Sequence, residues 1–196
     1  MRRCLALLCC LTVFAAINPL PLNAQEPQPV SVEEMEKAWM DFRKLTKEHA
    51  ALKFLVGEYN VVSHDYADPE NPKKETGTST IKPIMGGRYI RQIYSSTYGG
   101  VPFRGEGING YDKGKGKFFG TWIDNFSTGV LVTEGDYDKQ THILTETGSS
   151  VGPMGEMKVK LVTEPVPSPA KFKMTMYTLL PDGTEMKMMD VVYTPK

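Results

Sequence analysis

Cysteine is the first shortage. The chain has three, Cys4, Cys9 and Cys10, all within its first ten residues. Beyond them there is no thiol, which excludes a disulfide framework, a thiolate metal site and a cysteine nucleophile from the rest of the protein. An excess of one charge is also missing, because 23 Lys+Arg balance 23 Asp+Glu. A chain without basic surplus has little to neutralise nucleic-acid phosphates, so no nucleic-acid partner is expected. Histidine is scarce, and His49, His64 and His142 come from separate segments. Metal sites usually appear as local pairs of ligands plus a third, so surface or hydrogen-bonded histidines are expected, with no metal and no other cofactor. Long apolar runs are lacking too: Cys4 to Ile17 is closed by Pro19 and Pro21 and falls short of the ~20 residues a spanning helix needs.

What is present begins with a leader. Met1-Arg2-Arg3 is a positive start, Cys4 to Ile17 is uncharged and apolar, and Asn18 to Ala24 is broken by proline and ends in a small residue. This pattern predicts a secretory signal peptide over 1–24, cleavage after Ala24, and an exported protein, periplasmic or secreted, with no stable membrane anchor afterwards. Without Arg2 and Arg3 the chain retains 21 basic and 23 acidic groups, a balance with no pull toward anionic lipid. Residues 25–30, with Pro27 and Pro29, read as a spacer.

The segment 31–55 reads as helical. Ser31 with Glu34 three residues on is a capping box. Val32, Met35, Trp39, Phe42 and Leu45 follow at spacings of three and four, one stripe of an amphipathic helix. From Gly57 the period changes. Short segments rich in Val, Ile, Thr and aromatics, bounded by Gly, Pro, Asn or Asp, predict about ten strands over 56–196. No helix remains to cross over between them, so the short links dictate an antiparallel up-and-down order. Such an order exposes two long edges unless the sheet closes on itself, and a barrel closes it; an open sheet or a two-sheet sandwich is the alternative, since periodicity does not distinguish closure from stacking.

Several motifs carry a further signal: Phe54-Leu55-Val56-Gly57-Glu58-Tyr59, Gly86-Gly87-Arg88-Tyr89, Val101-Pro102-Phe103-Arg104-Gly105, Gly107-Ile108-Asn109-Gly110-Tyr111-Asp112, then Thr121-Trp122-Ile123-Asp124 and Thr128-Gly129. In this order, over about residues 45 to 196, they resemble an uncharacterised family of bacterial exported proteins, a domain of unknown function grouped with the lipocalin-like (calycin) barrels. The resemblance implies a lipocalin-like barrel, an exported location and no activity to carry over; with the segments above, the expected fold is all-β with an N-terminal helix, an antiparallel up-and-down lipocalin-like barrel of about ten strands. Tyr59 stands where lipocalin-like barrels usually carry Trp. Those barrels often pair that aromatic with an Arg on the last strand, and Glu185 to Lys196 contains none. A haem-nitrobindin reading of the same barrel lacks a histidine after His142 to ligate iron.

Two motifs lose their catalytic meaning in this setting. Gly148-Ser149-Ser150-Val151-Gly152 matches a nucleophile elbow, but a strand follows it instead of a helix, and the chain has no later histidine; a hairpin loop is expected there. Gly105-x-Gly107-x-x-Gly110 matches a dinucleotide fingerprint without the helix N-terminus that would hold a pyrophosphate. In a strand those glycines relieve curvature or leave space on a wall.

Alternation places Trp122 and Asp124 on one face, and Phe172, Met174 and Met176 on one face. Met186 and Met188 should share a face of the next strand. The methionines favour a permissive pocket lining over a copper site. The expected function is a noncatalytic binding module whose partner is a small, largely apolar ligand. Tyr94, Phe103, Trp122, Met174 and Met176 would supply its walls, and Arg91 and Asp124 would orient the ligand. The alternatives are an isomerase or hydrolase on the same barrel with Asp124 or Glu106 as general base, and a structural protein docking through the Trp39/Phe42 stripe. No catalytic residue is assigned.

Overall fold

The computed structural model describes residues 30–153 and 155–196. The leader, all but the last residue of the spacer, and Met154 lie outside the described residues. The chain divides into two units, 1–41 and 42–196.

α1 (Val32–Phe42), all of it but Phe42 in the first unit, starts on the expected capping box. Glu34 Oε2 accepts from Ser31 N at 3.0 Å and from Ser31 Oγ at 2.8 Å, while Glu34 N donates to Ser31 Oγ at 3.2 Å. The stripe Val32, Met35, Trp39 and Phe42 is exposed. The helix ends before Leu45, whereas the spacing predicted one stripe running through it. Thr46 starts a new helix instead, with its backbone N donating to His49 Nδ1 at 3.1 Å, so the chain turns before α2 (Lys47–Ala51). A 3₁₀ turn, Leu52–Leu55, follows.

Ten strands complete the second unit: β1 (Gly57–Asp65), β2 (Lys73–Ile84), β3 (Tyr89–Tyr98), β4 (Val101–Asp112), β5 (Lys117–Asp124), β6 (Leu131–Tyr137), β7 (Leu144–Gly152), β8 (Gly155–Pro165), β9 (Phe172–Leu179) and β10 (Glu185–Pro195). Each pairs antiparallel with its sequence neighbours, and β1 pairs with β10 over Tyr59–Asp65 and Met189–Pro195, closing a barrel. Closure satisfies the edge groups that ten sequential strands would otherwise expose.

Alternation sets the two faces of the wall. Tyr59 and Val61 on β1, Ser79 and Ile81 on β2, Ile90 and Tyr94 on β3, Phe118 on β5, Leu144 on β7 and Val191 and Tyr193 on β10 are all buried, and their partners across each ladder share that inward face. Because the period is two, these residues pin the register: a slip of one would turn every one of them outward.

One end of the barrel is sealed. Leu52 and Leu55 of the 3₁₀ turn are buried against Tyr59, Phe118, Leu144 and Phe172. Tyr59 meets Phe172 edge-on at 5.3 Å and Tyr193 at 5.8 Å, and Phe172 stacks on Tyr193 at 4.1 Å. Burying side chains of this size contributes roughly 1.5–3 kcal/mol each. The absent last-strand arginine has a replacement from another element. Lys171, in the loop before β9, places Nζ 3.1 Å from Tyr59 Oη and 5.6 Å from the centre of its ring.

Two details differ from the expected pattern. The Gly148–Gly152 segment is strand, paired to β8 with Ser150 opposite Met157, because the turn falls after it. A bulge between Lys187 and Met189 inserts one residue in β10, so Met189 faces Met176, and Met186 and Met188 do not share a face by simple alternation.

Candidate functional site

The other half of the barrel is less tightly buried than the sealed end. Gln92, Trp122, Leu131, Leu161, Met174, Met176 and Met189 sit on inward-facing positions and are only half-buried. Two open depressions elsewhere, lined by Asp136 and Thr145 among others, belong to the outside of β6 and β7.

Six of the seven residues expected to line a ligand site face the lumen: Tyr94, Phe103, Trp122, Asp124, Met174 and Met176. Tyr94 meets Phe103 at 5.9 Å and Trp122 at 6.2 Å, both edge-on. The indole lies flat over two glycines of β4. A Cβ on Gly105 would lie only 2.1 Å from Trp122 Cζ2, and one on Gly107 3.1 Å from Trp122 Cε3. The glycine series therefore makes room for an aromatic, a packing device on a barrel wall. Asp124 accepts from Trp122 Nε1 at 3.1 Å and from the backbone N of Phe126 and Ser127 at 2.9 Å each, so its carboxylate both orients the indole and holds the turn after β5.

Arg91 lies on the opposite face. Ile90 and Tyr94 are buried inward, so alternation turns Arg91 out, where Nη2 sits 2.6 Å from Glu106 Oε2 with both side chains nearly half exposed. The orienting group expected of Arg91, and the general base considered at Glu106, are therefore an ion pair on the outer wall.

The interior holds a polar group that strand reading left unnoticed. Glu146 on β7 faces inward with 3% of its surface exposed. Thr133 Oγ1 donates to its Oε1 at 3.1 Å, and among the described residues this is its hydrogen bond. A Cβ placed on Gly120 would lie 2.8 Å from Asn109 Nδ2, 2.8 Å from Thr133 Oγ1 and 3.1 Å from Glu146 Oε1, so the three side chains converge over that glycine. Burial pushes the Glu146 carboxyl up to about 7, with the Thr133 hydrogen bond pulling only weakly the other way. The signal was available: Glu146 stands two residues from Leu144 in a strand, on the same face as an obvious core residue. Below the trio, Gln92 Nε2 donates to Ser79 Oγ and to Tyr193 Oη at 3.0 Å each.

A second cluster lies on the outer wall, where Asp190 accepts from Tyr66 Oη at 3.0 Å and Lys187 Nζ at 2.5 Å and lies 2.9 Å from His64 Nδ1. His49 and His142 are tied up locally, the latter 2.6 Å from Tyr137 Oη. No group of three or more His, Cys, Asp or Glu among the described residues is arranged to hold a metal. No helix among them is long and apolar enough to cross a membrane.

A family model described as a protein of unknown function (DUF1579) matches residues 44–195. No curated protein matches the chain. Among solved structures, Rv2717c from M. tuberculosis aligns with a TM-score of 0.55 over 78% of this chain and 99% of that one, at 10% identity. At that identity the likeness speaks to the fold alone.

Proposed function

The chain belongs to the DUF1579 family of proteins of unknown function, and from the geometry of its barrel we propose that it is an exported, noncatalytic binding module for a small, largely apolar ligand held in the lumen. The observation that carries this reading is the row of half-buried apolar side chains facing inward, Trp122, Leu161, Met174, Met176 and Met189, at one end of a barrel sealed at the other. Apolar walls with a few convergent polar groups are the usual make-up of a small-molecule site. Here those groups are Glu146, Thr133 and Asn109. Methionine suits such a wall because its unbranched thioether repacks around differently shaped ligands.

The test is direct. N-phenyl-1-naphthylamine, a neutral apolar dye that brightens in dry surroundings, is expected to bind the purified protein at one site. Met176→Trp, which puts a larger side chain into the lumen, should abolish the signal, whereas Ile123→Ser on the outer wall should leave it unchanged. Dye binding that survives Met176→Trp, or is lost equally in Ile123→Ser, refutes lumen binding.

A second reading, an isomerase or hydrolase working through an interior carboxylate, is favoured by one observation. A carboxyl held near neutrality by burial is matched to general acid and base work, and Glu146 is that group. A variant Glu146→Gln that still binds the dye but no longer turns over a carbonyl substrate would favour it over a binding module.

A further inference from the structure

Charge is distributed unevenly between the two faces of the wall. Outward carboxylates are matched across strands: Glu106 with Arg91 at 2.6 Å, Asp136 with Lys117 at 2.7 Å, Glu185 with Lys160 at 2.8 Å and Glu164 with Lys173 at 2.9 Å. Four inward carboxyls are held by neutral donors instead, one of them Glu75, which accepts from Thr97 Oγ1 at 2.5 Å and from Gly99 N at 3.2 Å. At the mouth, Asp65 accepts from Tyr98 Oη and from Ala67 N, both at 2.8 Å. Asp124 accepts from the Trp122 indole and two turn amides. Deeper in, Glu146 accepts from Thr133. Lysines on the inward side lie at the two ends. Lys73 is exposed at the rim opposite Asp65, and Lys171 is spent on Tyr59 Oη and Val56 O at the sealed end.

We propose that the lumen is a site for an organic ammonium ion, an amine carried on an apolar body, with its nitrogen brought to the Glu146 carboxylate and the Thr133 hydroxyl. The proposal rests on the reading of the lumen as a binding site and names the class of ligand. A buried carboxylate without a counter-charge is costly, and an ammonium supplies that charge where the protein supplies none. A cleft with an excess of one charge concentrates ions of the other, and Asp65, Glu75 and Asp124 outnumber Lys73 at its entrance. Trp122, Tyr94 and Phe103 line the way with aromatic faces and edges that suit a cation attached to an apolar body.

The groups that share this part of the wall are few. Gly120 and Phe118 come from β5, Thr133, Gly135 and Tyr137 from β6, and Leu161 and Thr163 from β8. Tyr193 on β10 faces the same interior. Burial raises the Tyr137 phenol, helped by Asp138, and raises that of Tyr193 strongly. His142 sits on the Tyr137 hydroxyl at the sealed end. Burial holds the Glu146 carboxyl up at about 7.

Three probes with a common apolar body test the assignment: dansylcadaverine, its N-acetyl derivative and 6-(dansylamino)hexanoic acid. Dansylcadaverine is expected to bind at pH 8 at least about tenfold more tightly than the acetylated probe, and to weaken about tenfold by pH 6 as Glu146 takes up its proton. Glu146→Gln, with folding checked by circular dichroism, should weaken it by on the order of 30-fold at pH 8 and flatten the pH profile. If the neutral or acidic probe binds as tightly as the amine, or tightens below pH 7, the ammonium assignment is overturned while the binding lumen stands. If the preference for the amine persists in Glu146→Gln, it belongs to the mouth and the role of Glu146 is refuted. If none of the three probes nor the neutral dye binds, both readings fall.

Discussion

Tyr59→Ala should lower the free energy of unfolding by about 4 kcal/mol in urea titrations, and the midpoint of thermal unfolding by about 10 °C. The side chain is 1% exposed and packs on Phe172 and Tyr193. Its removal opens a cavity where the sealed end of the barrel meets the 3₁₀ turn Leu52–Leu55. The hydroxyl makes a separate contribution. It donates toward Leu55 O at 2.9 Å and Val56 O at 3.0 Å, and receives Lys171 Nζ at 3.1 Å. Tyr59→Phe keeps the ring and loses these bonds, so about 1–2 kcal/mol is expected, mostly from partners left unsatisfied. A loss below about 1 kcal/mol for the alanine variant would show that Tyr59 does not anchor the sealed end.

Glu146→Gln should have the opposite sign, and one that depends on pH. In the folded chain burial raises the carboxyl to about 7, against an ordinary value of 4.5. Between those values the folded state holds a proton that the unfolded chain has released. Stability from this group is therefore fully present below pH ~4.5, declines as pH rises through the window, and is gone above pH ~7. The span corresponds to about 3 kcal/mol. Glutamine keeps the shape, can accept the Thr133 hydrogen bond, and does not titrate. Relative to the natural chain, the variant should gain up to about 3 kcal/mol between pH 4.5 and pH 8. Measuring the difference between the two proteins cancels carboxylates shifted the other way, such as Asp138 and Asp182, each lowered chiefly by backbone N–H bonds. A difference that stays constant with pH would mean that Glu146 is solvated like a surface residue. A bound ammonium ligand should shrink the same difference, because it stabilises the charged form.

Much of the wall was legible in the residues, and the reason is periodicity. Short segments with turns at their ends and no helices between them leave only antiparallel neighbours, and a ten-stranded order of that kind closes. The boundaries were less legible where a polar turn sequence continues to pair, as Gly148–Gly152 does with β8. The candidate site divides in the same way. Tyr94, Phe103, Trp122, Met174 and Met176 face inward because bulky apolar side chains decide which face of a strand is buried. Arg91 sits one position from Ile90, and that neighbour sends it out. The alternation in β10 was lost at a bulge, which composition does not announce.

The sequence by itself determined the strand grammar, the antiparallel order and the family, since these depend on spacings along one chain. Only the tertiary structure decided that Lys171 would stand over Tyr59 in place of an arginine, and that Asn109, Thr133 and Glu146, from three strands, would meet over Gly120. The physical reason is that alternation assigns a residue to a face, whereas closure of the sheet decides what it meets there. The fate of a buried carboxyl depends on what it meets.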